Sequence, residues 1–185
     1  MLKFGTGWGH LGQNTKKSFS ELENRWGSSA YGWTRTGYFL YKYEIYHGAN
    51  IEKIRKDIVK EDKVSIDHIV AQGLSWNSLG FDNYNSLADD DVVKKEGDLL
   101  WREIISVING IGNLALSTLS NNSSDSNSLP NKHLDNYEKM GLIKTVEVVK
   151  TWKNPEQFVN QINDRTKNIL NFVENEIVNK TDIWD

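Results

Sequence analysis

Asp67 and His68 lie side by side inside the apolar, β-branched stretch Ser65-Ile66-Asp67-His68-Ile69-Val70-Ala71-Gln72, and that placement restricts what the segment can become. Val64 to Val70 have the composition of a β-strand. Successive side chains of a strand point to opposite faces. A carboxylate and an imidazole in adjacent positions can therefore serve one site only where the chain bends. Such a bend would set a metal ligand beside a general base.

A second block, Gly112-Asn113-Leu114-Ala115-Leu116-Ser117, alternates leucine with small residues and reads as another strand from Gly112 to Thr118. Residues 117 to 128 are rich in Ser and Asn and contain Asn121, Asn122 and Asn127; composition alone reads them as a linker. Pro130-Asn131-Lys132 follows. In this order the blocks resemble the HNH nuclease domain at the C-terminus of GmrSD-type restriction enzymes. The family pattern is approximately acid-His-Ile-x-Pro-Gln, then Gly-Asn-Leu-x-Leu, then an Asn-containing turn, then a Lys. Tyr38 to Glu44 is similar to the aromatic helix upstream of that motif. Ile162-Asn163-Asp164-Arg165 and the closing Ile183-Trp184 are similar to its last helix. Two departures stand out: Ala71 where the family usually has Pro, and Asp67 where it more often has Glu. Both acids are hard oxygen ligands.

The resemblance implies an α+β fold, mainly helical, with a ββα-metal core at residues 64–140 that carries a loop-helix insertion at 73–109. A helical segment, 1–63, packs on the core, and 141–185 forms a C-terminal segment and helix, all within one structural domain. The Ser/Asn-rich stretch is then the metal-binding turn. His68 takes the proton from water, since imidazole is the side chain best matched to that task near neutral pH. Asp67 and an amide oxygen of Asn122, with Asn121 and Asn127 as alternatives, hold one Mg²⁺ or Mn²⁺. Asn122 is preferred because it lies nine positions after Asn113, the family spacing. Asn113 hydrogen-bonds the loop after the first strand and supports the site together with Gln72. Lys132 meets phosphate as a point charge, with Arg102 as a further phosphate or DNA contact and His133 as a second phosphate or metal contact.

The implied activity is cutting or nicking of DNA by a metal-dependent HNH endonuclease, in restriction of foreign DNA. The alternatives are an inactive nucleic-acid- or protein-binding module that keeps the fold, for which Ala71 is the sequence support, and a ribonuclease using the same site. Family members usually carry a nucleotide-hydrolysing domain ahead of this one. None is found in these 185 residues, so an isolated domain or a regulatory partner is expected.

Composition is compatible with this. The length suits one domain with a real core, and seven Trp, seven Tyr and six Phe argue for a folded chain. No cysteine is present, which excludes disulfides and Cys-ligated zinc. With 22 basic against 25 acidic residues the net charge is −3, so phosphate binding requires local cations such as Lys16-Lys17, Lys53-Arg55-Lys56, Lys94-Lys95 with Arg102, and Lys132. The absence of a membrane-length apolar run and of a signal-peptide pattern makes the cytoplasm the expected location, with no membrane partner.

Residues 1 to 16 resemble a Gly-rich phosphate loop but lack its GK[ST] ending, so the expectation is a loosely ordered segment. Apolar spacing predicts helices at Ser18 to Trp26, at Trp33 to Tyr46 with Gly48 as the stop, at Asp89 to Asn109, at Pro130 to Tyr137 closed by Gly141, and from about Asn154 onward. Gly73 to Ser86 reads as a loop, and Val146 to Trp152 as a strand or a packing segment. The aromatic residues between Trp33 and Tyr46 read as core packing in preference to base stacking.

Overall fold

The computed structural model describes residues 30, 36–60, 65–71, 102–103, 106–118, 129–152 and 155–178. Within them run helix α1 (Thr36–Tyr46), helix α2 (Ile51–Lys60), strand β1 (Ser65–His68), a 3-10 turn (Ile111–Asn113) and strand β2 (Leu114–Ser117). A second 3-10 turn (Pro130–His133), helices α3 (Leu134–Met140), α4 (Ile143–Thr151) and α5 (Pro155–Phe172), and a π-helical extension (Val173–Val178) follow. The described chain is thus mostly helical with one small antiparallel sheet, an α+β arrangement. None of its helices is long and apolar enough to cross a membrane.

Two strands of four residues each cannot hold themselves together in water, so the helices must supply the stability of the sheet. Both are almost wholly buried. The register pairs Ser65 with Ser117, Ile66 with Leu116, Asp67 with Ala115 and His68 with Leu114. Helix α1 is buried nearly all round, as a helix apolar on every face must be, and Tyr38, Phe39, Leu40, Tyr41 and Tyr43 join Leu114, Leu116, Tyr137 and Ile169 in the main core. Left-handed Gly48 ends it, its N–H bonded to the Ile45 carbonyl.

Asn50 caps α2 by accepting the Lys53 N–H, and Ile54 anchors the helix in the core. The sequence reading missed this helix. Lys53 and Lys56, expected as part of a charge cluster, stand exposed on it, and Ile54 is buried. Helix α4 corrects the strand reading of Val146 to Trp152. The β-branched residues there favour a strand, but Glu44 of α1 accepts the N–H groups of Lys144 and Thr145 and so caps a helical first turn from outside. Helix α5 buries Phe158, Ile162, Ile169 and Phe172, the residues expected from its apolar spacing. Phe158 and Ile162 form a second, smaller core with Val70 and Val107, against which Ala71 and Trp152 pack. That cluster lies directly behind the segment that follows His68.

Candidate active site

Strand β1 ends at His68, and the chain bends at Ile69 and Val70. Asn113, in the 3-10 turn just before β2, holds that bend. Its Oδ1 accepts the Val70 N–H at 2.9 Å, and its Nδ2 donates to the Val70 carbonyl at 3.0 Å and to the Ile108 carbonyl at 2.7 Å. The Ile69 N–H meets the Asn113 carbonyl at 2.7 Å. Asn113 is fully buried, so each of these bonds satisfies a group that water cannot reach.

Asp67 faces the start of α3. Its Oδ2 accepts the Tyr137 hydroxyl at 2.9 Å and lies 3.2 Å from Nδ1 of His133. Ala115, its partner across the ladder, contributes only a methyl on that face and leaves room for the two rings. Asp67 is 8% exposed and His133 2%.

His68 has a different partner. Its Nε2 lies 3.0 Å from Oδ1 of Asn109. An amide oxygen only accepts, so the neutral ring carries its proton on Nε2 and its lone pair on Nδ1. Burial lowers the His68 pKa below the ordinary histidine value, and the Asn109 bond and the Asp67 charge oppose this only in part. The ring is therefore neutral at neutral pH, the state a proton acceptor needs. Asp67 and His68 thus keep separate partners, as strand alternation requires, and the bend falls after His68 and not between the two residues.

The turn that carries Asn113 is clamped from behind by α5. Arg165, buried, donates through Nη1 to the carbonyls of Gly112 and Leu114 at 2.8 and 2.7 Å. Its Nη2 reaches the Thr145 hydroxyl at 3.1 Å, and that hydroxyl donates to Glu44 at 2.7 Å. Burial lowers the Arg165 pKa, and the Glu44 charge opposes the shift. The Gly112 N–H donates to Thr166 Oγ1 at 3.2 Å. A methyl group on Gly112 would run into the Ile162 carbonyl and the Thr166 hydroxyl, so only glycine allows the backbone this close to α5.

Of the residues expected at the site, Asp67 and His133 meet, Asn113 holds the bend that follows His68, and His68 lies against Asn109, apart from the partners of Asp67. Arg102 and Lys132 are exposed. His133, expected as a phosphate or metal contact, is buried with its Nδ1 against the Asp67 carboxylate. Gln72, Asn121, Asn122 and Asn127 lie outside the described residues, as do the helix expected at 18–26, the loop at 73–86, most of the 89–109 helix and Ile183-Trp184. Sequence reasoning missed Asn109, Tyr137, Glu44 and the role of Arg165. Tyr137 had a signal, since it follows His133 by one helical turn; Asn109 and Glu44 had none.

The model of the C-terminal domain of GmrSD restriction endonucleases matches residues 13–172, most of the chain, including both strands, the Asn113 turn and the Arg165 clamp. The chain belongs to that family. No curated protein and no solved structure matches it. Membership in the GmrSD C-terminal domain family implies a restriction-endonuclease domain.

Proposed function

We propose that this GmrSD C-terminal domain is a metal-dependent endonuclease of HNH type that hydrolyses DNA phosphodiester bonds in restriction of foreign DNA. The observation that supports this most is the two-way grip of Asn113 on Val70, which fixes the backbone just beyond Asp67 and His68. Residues that carry chemistry need that kind of support, because a displacement of about 1 Å costs on the order of a hundredfold in rate.

The donor set fits one hard divalent ion. Asp67 offers a buried carboxylate, and the chain has no thiolate. Asp67 and an amide from Asn122, with Asn121 or Asn127 as substitutes, would hold Mg²⁺ or Mn²⁺ and leave positions for water and phosphate. When bound, such an ion supplies Lewis-acid stabilisation of charge on the phosphoryl group. His68, neutral and held through Nε2, accepts the proton of the attacking water. Lys132 and Arg102, both exposed, supply local positive charge for the backbone phosphates of a substrate that a net charge of −3 would otherwise repel.

The test is incubation of the purified chain with supercoiled plasmid, and in parallel with RNA, in Mg²⁺ or Mn²⁺. Nicking or linearisation of the plasmid that EDTA abolishes is expected. Cleavage unchanged in chelator would overturn the metal reading, and cleavage of RNA alone would reassign the substrate.

A further inference from the structure

His133 and Tyr137 stand four residues apart, across the junction of the 3-10 turn and α3, so their side chains emerge one above the other on one side. Their rings lie nearly parallel, 19° apart with centroids at 6.0 Å. Both reach the same atom, Oδ2 of Asp67, the hydroxyl at 2.9 Å and Nδ1 at 3.2 Å. An ionised carboxylate can only accept, so the Tyr137 O–H and the His133 Nδ1–H are both donors. Two donors on one oxygen stop the carboxylate from rotating about its Cβ–Cγ bond, and they leave Oδ2 poorly placed to take a third partner. Among the described residues no donor meets Oδ1.

We infer that Tyr137 and His133 are positioning residues that hold Asp67 by Oδ2 and present Oδ1 to the divalent ion. The inference rests on the reading of Asp67 as a metal ligand. The chemistry is that of hydrogen bonds behind a metal-binding carboxylate, which fix its orientation in advance so that binding does not have to order it. Oδ1 then acts as a single-oxygen donor, which suits an ion that keeps much of its water. The arrangement also accounts for the burial of His133, which a phosphate contact does not.

The test is Mn²⁺ affinity by titration calorimetry on the full chain, with circular dichroism of each variant. Tyr137→Phe keeps the buried ring and removes one donor; the affinity is expected to fall roughly ten- to a hundredfold with the fold unchanged. His133→Asn, whose amide can replace the Nδ1 donor, is expected to bind Mn²⁺ better than His133→Leu. Wild-type affinity in Tyr137→Phe overturns the inference while leaving the metal reading intact. If Tyr137→Phe does not fold, the His133 pair decides, and equal affinities of its two members overturn the inference. Undiminished affinity in Asp67→Ala, or no Mn²⁺ binding by the wild type, removes the metal reading itself and the inference with it.

Discussion

Arg165 grips the backbone on both sides of Asn113: one guanidinium nitrogen donates to the carbonyls of Gly112 and Leu114, the residues immediately before and after it. A residue of the last helix thereby fixes the turn whose amide in turn fixes Val70, two positions beyond His68. The far end of this relay is Glu44, reached through the Thr145 hydroxyl. Arg165→Ala leaves two buried carbonyls without donors and Glu44 without its cation, and is expected to cost about 3–5 kcal/mol in urea denaturation. Arg165→Lys keeps the charge but loses the planar fork, so its loss should be smaller but clear. Stability equal to wild type in Arg165→Ala would contradict the clamp.

Asn113→Ala strands the buried Val70 N–H and carbonyl and takes the donor from the half-buried Ile108 carbonyl, and about 3 kcal/mol of stability should be lost. Asn113→Asp should be at least as harmful. A carboxylate can accept from Val70 but has nothing to give either carbonyl. Thermal melts of the two variants compared with wild type check this, and a stable Asn113→Asp would show that the donor half of the amide is dispensable.

Gly112→Ala adds a single methyl where the Ile162 carbonyl and the Thr166 hydroxyl already stand. The obstacle is helix backbone, which cannot move aside like a side chain, so the loss should reach or exceed the about 1–3 kcal/mol typical of overpacking. The drop in melting temperature reads it out; an unchanged melt would mean that the turn and α5 are further apart than described.

The acid side of the stability profile should carry the mark of His68. Burial puts its folded pKa below the ordinary value of about 6.5, so the folded protein binds fewer protons than the unfolded chain between the two values. The stability contributed is then complete above the unfolded pKa and is lost as pH falls through the folded one. His47 is shifted the same way, chiefly by burial. In EDTA, the unfolding free energy between about pH 7.5 and about pH 5 should fall less in His68→Gln than in wild type. Identical slopes would contradict the assignment.

The two strands were legible because each rests on a local pattern, β-branched residues around Asp67-His68 and alternating leucines after Gly112, but Gly112 and Asn113, expected to open the second strand, belong to the 3-10 turn before it. The stops of α1 and α3 were legible from Gly48 and Gly141, and the start of α5 from Pro155 and its apolar spacing. What escaped depends on distant partners. Nothing near Val146 announces a helix, because its cap comes from Glu44, a hundred residues upstream of Lys144. Nothing near Asp67 points to Tyr137, seventy residues on. His133 looked like a surface neighbour of Lys132, and only the path of the chain back to β1 buries it.

The single-turnover rate of plasmid cleavage by His68→Ala at saturating Mn²⁺ tests the central claim most directly. The variant keeps Asp67 and the Asn113 grip but lacks the group that accepts the proton. The rate is expected to fall by roughly a hundred- to ten-thousandfold against wild type with Mn²⁺ affinity unchanged. A rate close to wild type would contradict the account, because the proton would then have to leave by another route.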